Sequence, residues 1–356
     1  MTGAPAIPFW LEQLLTFLLL ISPGLAFVLA YLADDHDGRS LRPIVYIGLG
    51  LAGLGGMFLG GLLALTGALD LQSLPMGGAD GTPSPAGSYS IVSVLPPLGV
   101  GTIVLAALSL VLMLPAVRRV IARILPIDAG RLVHLVALDC VVLVAWLSGA
   151  IALFMPIIAA DPAGMKSLGD ATAQSGLTGI WVQNAAFVVL AFVGVGVFVH
   201  RDWRSTLDRL GLAMPFRWRW WLGGAALALA VAVATDQLWT LFDPEGAAAL
   251  GKLSDQLFGP LIAKGGLAAA LTIGLAPGIG EELLFRGAAQ PRFGLVFTSL
   301  LFAALHTQYT VSPALIQIFI VGLILGRVRQ RAGTRTSILV HATFNALQVV
   351  LSLLGT

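Results

Sequence analysis

Apolar segments long enough to cross a bilayer recur from one end of this chain to the other, and they limit its folding severely. In hydrocarbon every backbone N–H and C=O must find a partner within the protein, so a spanning segment is a helix or part of a closed barrel. A spanning helix takes about 20 mostly apolar residues. Ten stretches read as spans: 9–32, 43–69, 91–114, 132–158, 178–199, 220–242, 264–290, 293–310, 313–328 and 337–354. The ninth is short and needs cover from its neighbours. Only 11% of the 356 residues are charged, against roughly 25% in soluble domains, and the mean hydropathy is +0.92. The expected fold class is all-α: a polytopic membrane helix bundle of about ten transmembrane helices, with the chemistry in the last four to five.

The placement of charge supports this segmentation. Alternate connections hold Arg39 and Arg42; Arg118, Arg119, Arg123 and Arg131; Arg201, Arg204, Arg209, Arg217 and Arg219; Arg292; and Arg327, Arg329, Arg331 and Arg335. The other side has only Lys166, Lys252 and Lys264. By the positive-inside rule the arginine-rich connections are cytoplasmic and both termini lie outside. The excess of Arg over Lys, 17 to 3, fits a GC-rich bacterial genome and hence a bacterial cytoplasmic membrane. No basic stretch interleaved with aromatics occurs in a soluble domain, so nucleic acid is not an expected partner; the lipid bilayer is. The single Cys140 allows no disulfide framework and no CxxC zinc site. Met1 to Pro8 lacks the basic lead of a cleaved signal peptide and reads as the approach to a retained span.

Other features read as structural. Asp80 to Ser88 is a Gly/Pro/Ser loop on the outer side. Phe216 to Trp221 alternates Arg and Trp at a membrane edge, as an interfacial anchor does. Gly56/Gly60 and Gly322/Gly326 are spaced for close helix packing. Glu12, Asp139 and Asp236 are isolated intramembrane acids without a partner at fixed spacing, and read as helix-to-helix hydrogen bonding.

Polar residues with chemical potential concentrate after residue 264. Glu281, Glu282 and Arg286 fall within six residues of an apolar run. Residues four apart share a helix face, so Glu282 and Arg286 can pair. That offsets much of the about 2.5–3.5 kcal/mol that a central charge costs on insertion scales. Glu281 is rotated by about 100° from Glu282, so it must face water, another polar group or a metal. A carboxylate in a poorly solvated site is what a general base requires. His341 and Asn345 share a face of the last span and suit an oxyanion. His306 follows Phe302 by one turn, where the ring can wall the site. Three helices can bring Glu281, His306, His341 and Asn345 to one point.

The three motifs Glu281-Glu282-Leu-Leu-Phe-Arg286-Gly, Phe302-Ala-Ala-Leu-His306 and His341-Ala-Thr-Phe-Asn345, intact and in this order, resemble those of the CPBP (CAAX protease and bacteriocin-processing) intramembrane proteases. That family, also called Abi, includes the eukaryotic type II CAAX prenyl endopeptidases. The resemblance covers about 264–352 and divides the chain into a five-span module, 1–219, and a protease core, 220–356. It implies an active site inside the bilayer, open toward the cytoplasm, that hydrolyses a peptide bond in a membrane-associated and, in eukaryotic members, lipidated substrate. It further implies that Glu281 and His306 activate water, that His341 and Asn345 stabilise the oxyanion, and that Glu282 and Arg286 hold the site together.

The family is also described as metal-dependent, which leaves the cofactor as none or zinc. Catalytic zinc takes three protein ligands plus water. Glu281, His306 and His341 are the available set, but on three helices and without HExxH spacing, so the metal-free glutamate mechanism is preferred. Two alternatives belong to other classes. A proton- or ion-coupled transporter would spread polar sites over both halves, whereas the first half has only isolated acids. A non-catalytic scaffold or immunity protein of the same fold would be expected to lack one of these motif residues, and all are present.

Overall fold

A computed structural model describes residues 8–35, 37–67 and 91–354, except the side chains of residues 91 and 92. The Asp80 to Ser88 loop and Met1 to Ile7 lie outside the described residues. The chain is built of helices: α1 (Phe9–Asp34, with a jog at Ser22), α2 (Arg39–Leu65), α3 (Leu95–Leu112), α4 (Leu132–Ala160), α5 (Pro162–Gly194), α6 (Trp203–Arg209), α7 (Trp218–Phe242), α8 (Pro244–Gly265), α9 (Leu267–Phe293), α10 (Leu295–Ala304) and α11 (Pro313–Leu353). The only β contact among the described residues is an isolated bridge between Val197 and Arg201. Among the described residues eight helices are long and apolar enough to cross a membrane, namely α1 to α5, α7, α9 and α11.

The ten expected spans map onto these elements with one merger, one shortening and one extension, the fifth (178–199) being α5, which starts at Pro162 and breaks at Gly176, where φ is 58°. At 41 residues α11 exceeds a single crossing, and it breaks at Gly333, where φ is 82°. That left-handed backbone favours glycine, and a Cβ there would stand 2.7 Å from the Cβ of Met214. Past the break the chain turns back. Ser337 Oγ lies 3.0 Å from Leu325 O, although a continuous helix would separate residues twelve apart by about 18 Å. The element is thus a helical hairpin holding the ninth and tenth expected spans. The eighth is α10, only 10 residues long. α8 lies where a connection was expected; its Glu245, Lys252, Asp255 and Lys264 mask a helix that has its own buried stripe of Leu253, Leu257 and Leu261.

The structure gathers the arginine-rich connections into one layer. Asp34 accepts from Arg42 at 3.2 Å and lies 3.7 Å from Arg131. Arg292 donates to Tyr31 Oη and to Gly194 O, at 2.5 and 2.7 Å. Thr334 N donates to Gly211 O at 2.9 Å, which docks the segment after α6 onto the break in α11.

Burial sets α9 and α11 apart from the other candidate spans. Half of the apolar window of α9 is buried, and 39% of that of α11, against 11–22% for the other six candidate spans. The glycine pairs sit where helices approach closely. A Cβ on Gly60 would meet Gly99 O at 2.7 Å, and one on Gly322 would meet Ser299 Cβ at 3.1 Å. Glu12 and Asp236 are exposed.

Candidate functional site

The site is set by a change of pitch in α9. Residues Glu282–Ala289 form a π-helix, a rare feature that frequently marks functional sites. Pro291 follows it and has no N–H, so Gly287 O loses its ordinary helical donor. Arg209 supplies one from α6, with Nη1 to Gly287 O at 2.8 Å and Nη2 to Ala288 O at 3.2 Å. Gly287 makes room for this approach, since a Cβ there would stand 3.0 Å from Leu210 Cδ2. Just before the π-helix, Gly280 lies against α5, where a Cβ would be 2.6 Å from Asn184 Oδ1.

The two adjacent glutamates face different surroundings. Glu282 is fully buried and has three partners. Arg286 Nε is 3.4 Å from its Oε2, Ser337 Oγ donates to Oε2 at 2.5 Å, and His341 Nδ1 donates to Oε1 at 3.0 Å. Arg286 also reaches Gly322 O at 3.4 Å and lies 4.2 Å from the centroid of the Phe302 ring. Phe302 in turn stands 4.9 Å from the His306 ring and 5.9 Å from that of His341. It is a shared wall between the ion pair and both histidines. Sequence spacing allowed the Glu282–Arg286 pair, but neither Ser337 nor the bond to His341 was anticipated. Ser337 lies one helical turn before His341, the only local signal it gives.

Glu281 opens onto a cavity of about 650 Å³, with His306, His341 and Asn345 also in its lining. Its Oε2 is buried and has no hydrogen-bond partner among the described residues, and the same is true of Asn184 Oδ1 in the same lining. His306 Nδ1 lies 2.8 Å from Phe302 O. A carbonyl only accepts, so Nδ1 carries the hydrogen and Nε2 is left for the cavity. His341 is tied to the Glu282 carboxylate through Nδ1 in the same way. Asn345 Nδ2 donates to Ile273 O at 3.2 Å and keeps its second N–H and its carbonyl.

Tyr309 joins the lining from the turn Thr307–Tyr309, next to His306. Its phenol can donate or accept a hydrogen bond there. Thr310 closes that turn at φ 60°, ψ −176°, a region that is nearly glycine-only and costs about 1–3 kcal/mol. The far walls carry carboxamides: Gln183 from α5, Gln308 beside Tyr309, and Gln317 and Gln348 from the two arms of the hairpin. α5 therefore contributes to the cavity, together with α8. Sequence reasoning missed both contributions.

The donors suit zinc in type, because each histidine holds one nitrogen on an oxygen and turns the other toward the cavity, as metal-ligating imidazoles do. The spacing does not suit it. Among the described residues no three His, Cys, Asp or Glu side chains come close enough together to hold an ion.

Residues 263–347 match the family model described as Type II CAAX prenyl endopeptidase Rce1-like. This segment is an Rce1-like domain. It contains α9, α10 and most of α11, hence all three motifs and the π-helix. The chain thus carries the domain of a CAAX-type intramembrane protease in an integral membrane protein. Neither the curated proteins nor the solved structures gave a match.

Proposed function

We propose that the protein is an intramembrane endopeptidase that hydrolyses a peptide bond in a membrane-associated peptide or protein, with Glu281 as general base. The observation that carries this reading is Glu281 itself. It is the one member of the Glu281/Glu282 pair with an oxygen buried in the cavity lining and unpartnered among the described residues.

In the proposed reaction Glu281 takes a proton from a water held between it and His306 Nε2. The resulting hydroxide attacks the scissile carbonyl carbon. His341 and the free N–H of Asn345 support the oxyanion, and Glu282 balances the charge of His341 when both of its nitrogens carry hydrogen. Glu281 then returns the proton to the leaving amine as the C–N bond breaks. Arg286 and Phe302 are positioning residues, since they act through Glu282 and the two imidazoles.

The cavity walls favour a peptide over an inorganic ion. To be cut, a segment must be extended, with its backbone N–H and C=O groups unpaired in a poorly solvated space. A carboxamide donates and accepts at once, so four glutamines around the cavity can meet both kinds of group.

The test is cleavage of membrane peptides by purified protein, comparing wild type with Glu281→Ala, His306→Ala and His341→Ala. Activity should be lost in all three, and cleavage that survives all three changes overturns the assignment. In the same assay, activity that persists after exhaustive chelation fits the glutamate mechanism, and loss restored by zinc replaces it with a metal-dependent one.

A further inference from the structure

Two side chains in the cavity lining hold a buried oxygen that no described residue satisfies: Glu281, through Oε2, and Asn184, through Oδ1. The first is the base of the proposed reaction. The second has no part in it so far, and it belongs to α5, outside the segment 263–347 that matches the family model. Asn184 is 4% exposed. A buried amide oxygen without a donor is costly, so its persistence needs a reason.

The fold holds this amide in place. Asn184 Nδ2 donates to Ile180 O, one turn earlier in α5, at 2.9 Å. A carbonyl only accepts, so the nitrogen is the atom on Ile180 and the oxygen is the one left over. Trp181 Nε1 donates to Thr272 Oγ1 at 3.2 Å and ties the same stretch of α5 to α9. Gly280 lets the two helices touch at Asn184, since a Cβ there would stand 2.6 Å from Oδ1 and 2.7 Å from the backbone oxygen. The amide therefore packs against the residue immediately before the base.

One group of the substrate lacks a partner in the proposed reaction. The water gives its two hydrogens to Glu281 and His306 Nε2, and has none for Asn184. The scissile oxygen receives donors from His341 and Asn345. The scissile nitrogen carries an N–H, which needs an acceptor in a poorly solvated space. Glu281 must come within hydrogen-bond reach of that same nitrogen to return the proton.

We propose that Asn184 Oδ1 accepts the N–H of the scissile amide, which makes Asn184 a substrate-binding residue contributed to the site by α5. In the tetrahedral intermediate the hydrogen of the leaving nitrogen stays on Asn184 while its lone pair faces the protonated Glu281. The proton then passes from Glu281 to that lone pair, and the C–N bond breaks to give a neutral amine and a carboxylic acid. This role rests on the protease reading above.

The test compares a membrane peptide cleaved by wild type with the same peptide carrying an ester in place of the scissile amide, which has no N–H to offer. The readout is the ratio of kcat/KM for the amide to kcat/KM for the ester. Asn184→Ala should lower that ratio by about 5- to 150-fold, the effect of one buried N–H left unpaired. An unchanged ratio, whether the two rates fall together or neither falls, overturns the inference. Asn184→Ser repeats the comparison if Asn184→Ala does not accumulate in membranes, because its hydroxyl can still meet Ile180 O but is too short to stand in for Oδ1. Glu281→Gln should slow amide and ester alike, since both need an activated water. A wild type that cleaves no peptide, or a Glu281→Gln variant as fast as wild type, removes the protease reading and the role of Asn184 with it. Loss in Glu281→Gln beside an unchanged ratio in Asn184→Ala removes the role of Asn184 alone.

Discussion

On the arginine-rich side of the site, Glu282 is a carboxylate with every need met: a guanidinium, a hydroxyl and an imidazole surround it at 2.5–3.4 Å, and it is shut off from solvent. One residue earlier, Glu281 reaches the cavity with an oxygen that no described residue satisfies. The difference arises from their places in one helix. Glu281 ends the α-helical part and Glu282 begins the π-helical part, so neighbouring side chains project into a packed layer and into open space. A carboxylate that is fully paired stabilises a fold, and one left unpaired is free to move a proton.

The widest gap between the two should appear in Glu281→Gln. Loss of general-base catalysis typically costs about 10²–10⁴-fold, and peptide cleavage should fall by that much while the thermal midpoint of the purified protein stays put. A midpoint that drops sharply would mean that Glu281 is structural too, and the contrast would collapse. Glu282→Ala should do the reverse. It strands Arg286 as a buried charge, and breaking a buried pair in this way costs about 3–5 kcal/mol, to be read as poor accumulation in membranes and a lowered midpoint. Ser337→Ala removes one donor to Glu282 and should cost about 1–3 kcal/mol, with cleavage reduced only as far as His341 is displaced. Normal stability in Ser337→Ala would show that the paired side does not need all three partners. The smallest effect is expected at Thr310→Gly. Relief of the backbone strain beside His306 should raise stability by about 1 kcal/mol, and an unchanged or lower midpoint in a thermal-shift measurement would show that the turn is not strained.

Much of the architecture could be read before the structure, because hydropathy and arginine placement depend only on local composition. They gave the helical segments, their alternation and the pairing distance between Glu282 and Arg286. The three motifs also located Glu281, His306, His341 and Asn345, which line one cavity. Features that depend on contacts distant in sequence stayed hidden. The bond from His341 to Glu282 joins residues 59 apart, and no spacing rule reaches that far. The π-helix leaves no periodicity over eight residues. α8 was hidden by its own charges, and Asn184 and Gln183 are unremarkable polar residues until α5 is seen against Gly280. The hairpin escaped as a tight turn because its break is a single glycine between two helical arms.

That hairpin also bears on how the protein is made. Gly322 and His341 come from opposite arms, yet both serve the same buried group, one through Arg286 and the other through Glu282. Arg327, Arg329, Arg331 and Arg335 surround the turn, and charges of this kind resist transfer through hydrocarbon. The two arms would therefore leave the translocation machinery as a single inserting unit, tip held back, so that Gly322 O and His341 reach the Glu282–Arg286 pair of α9 together.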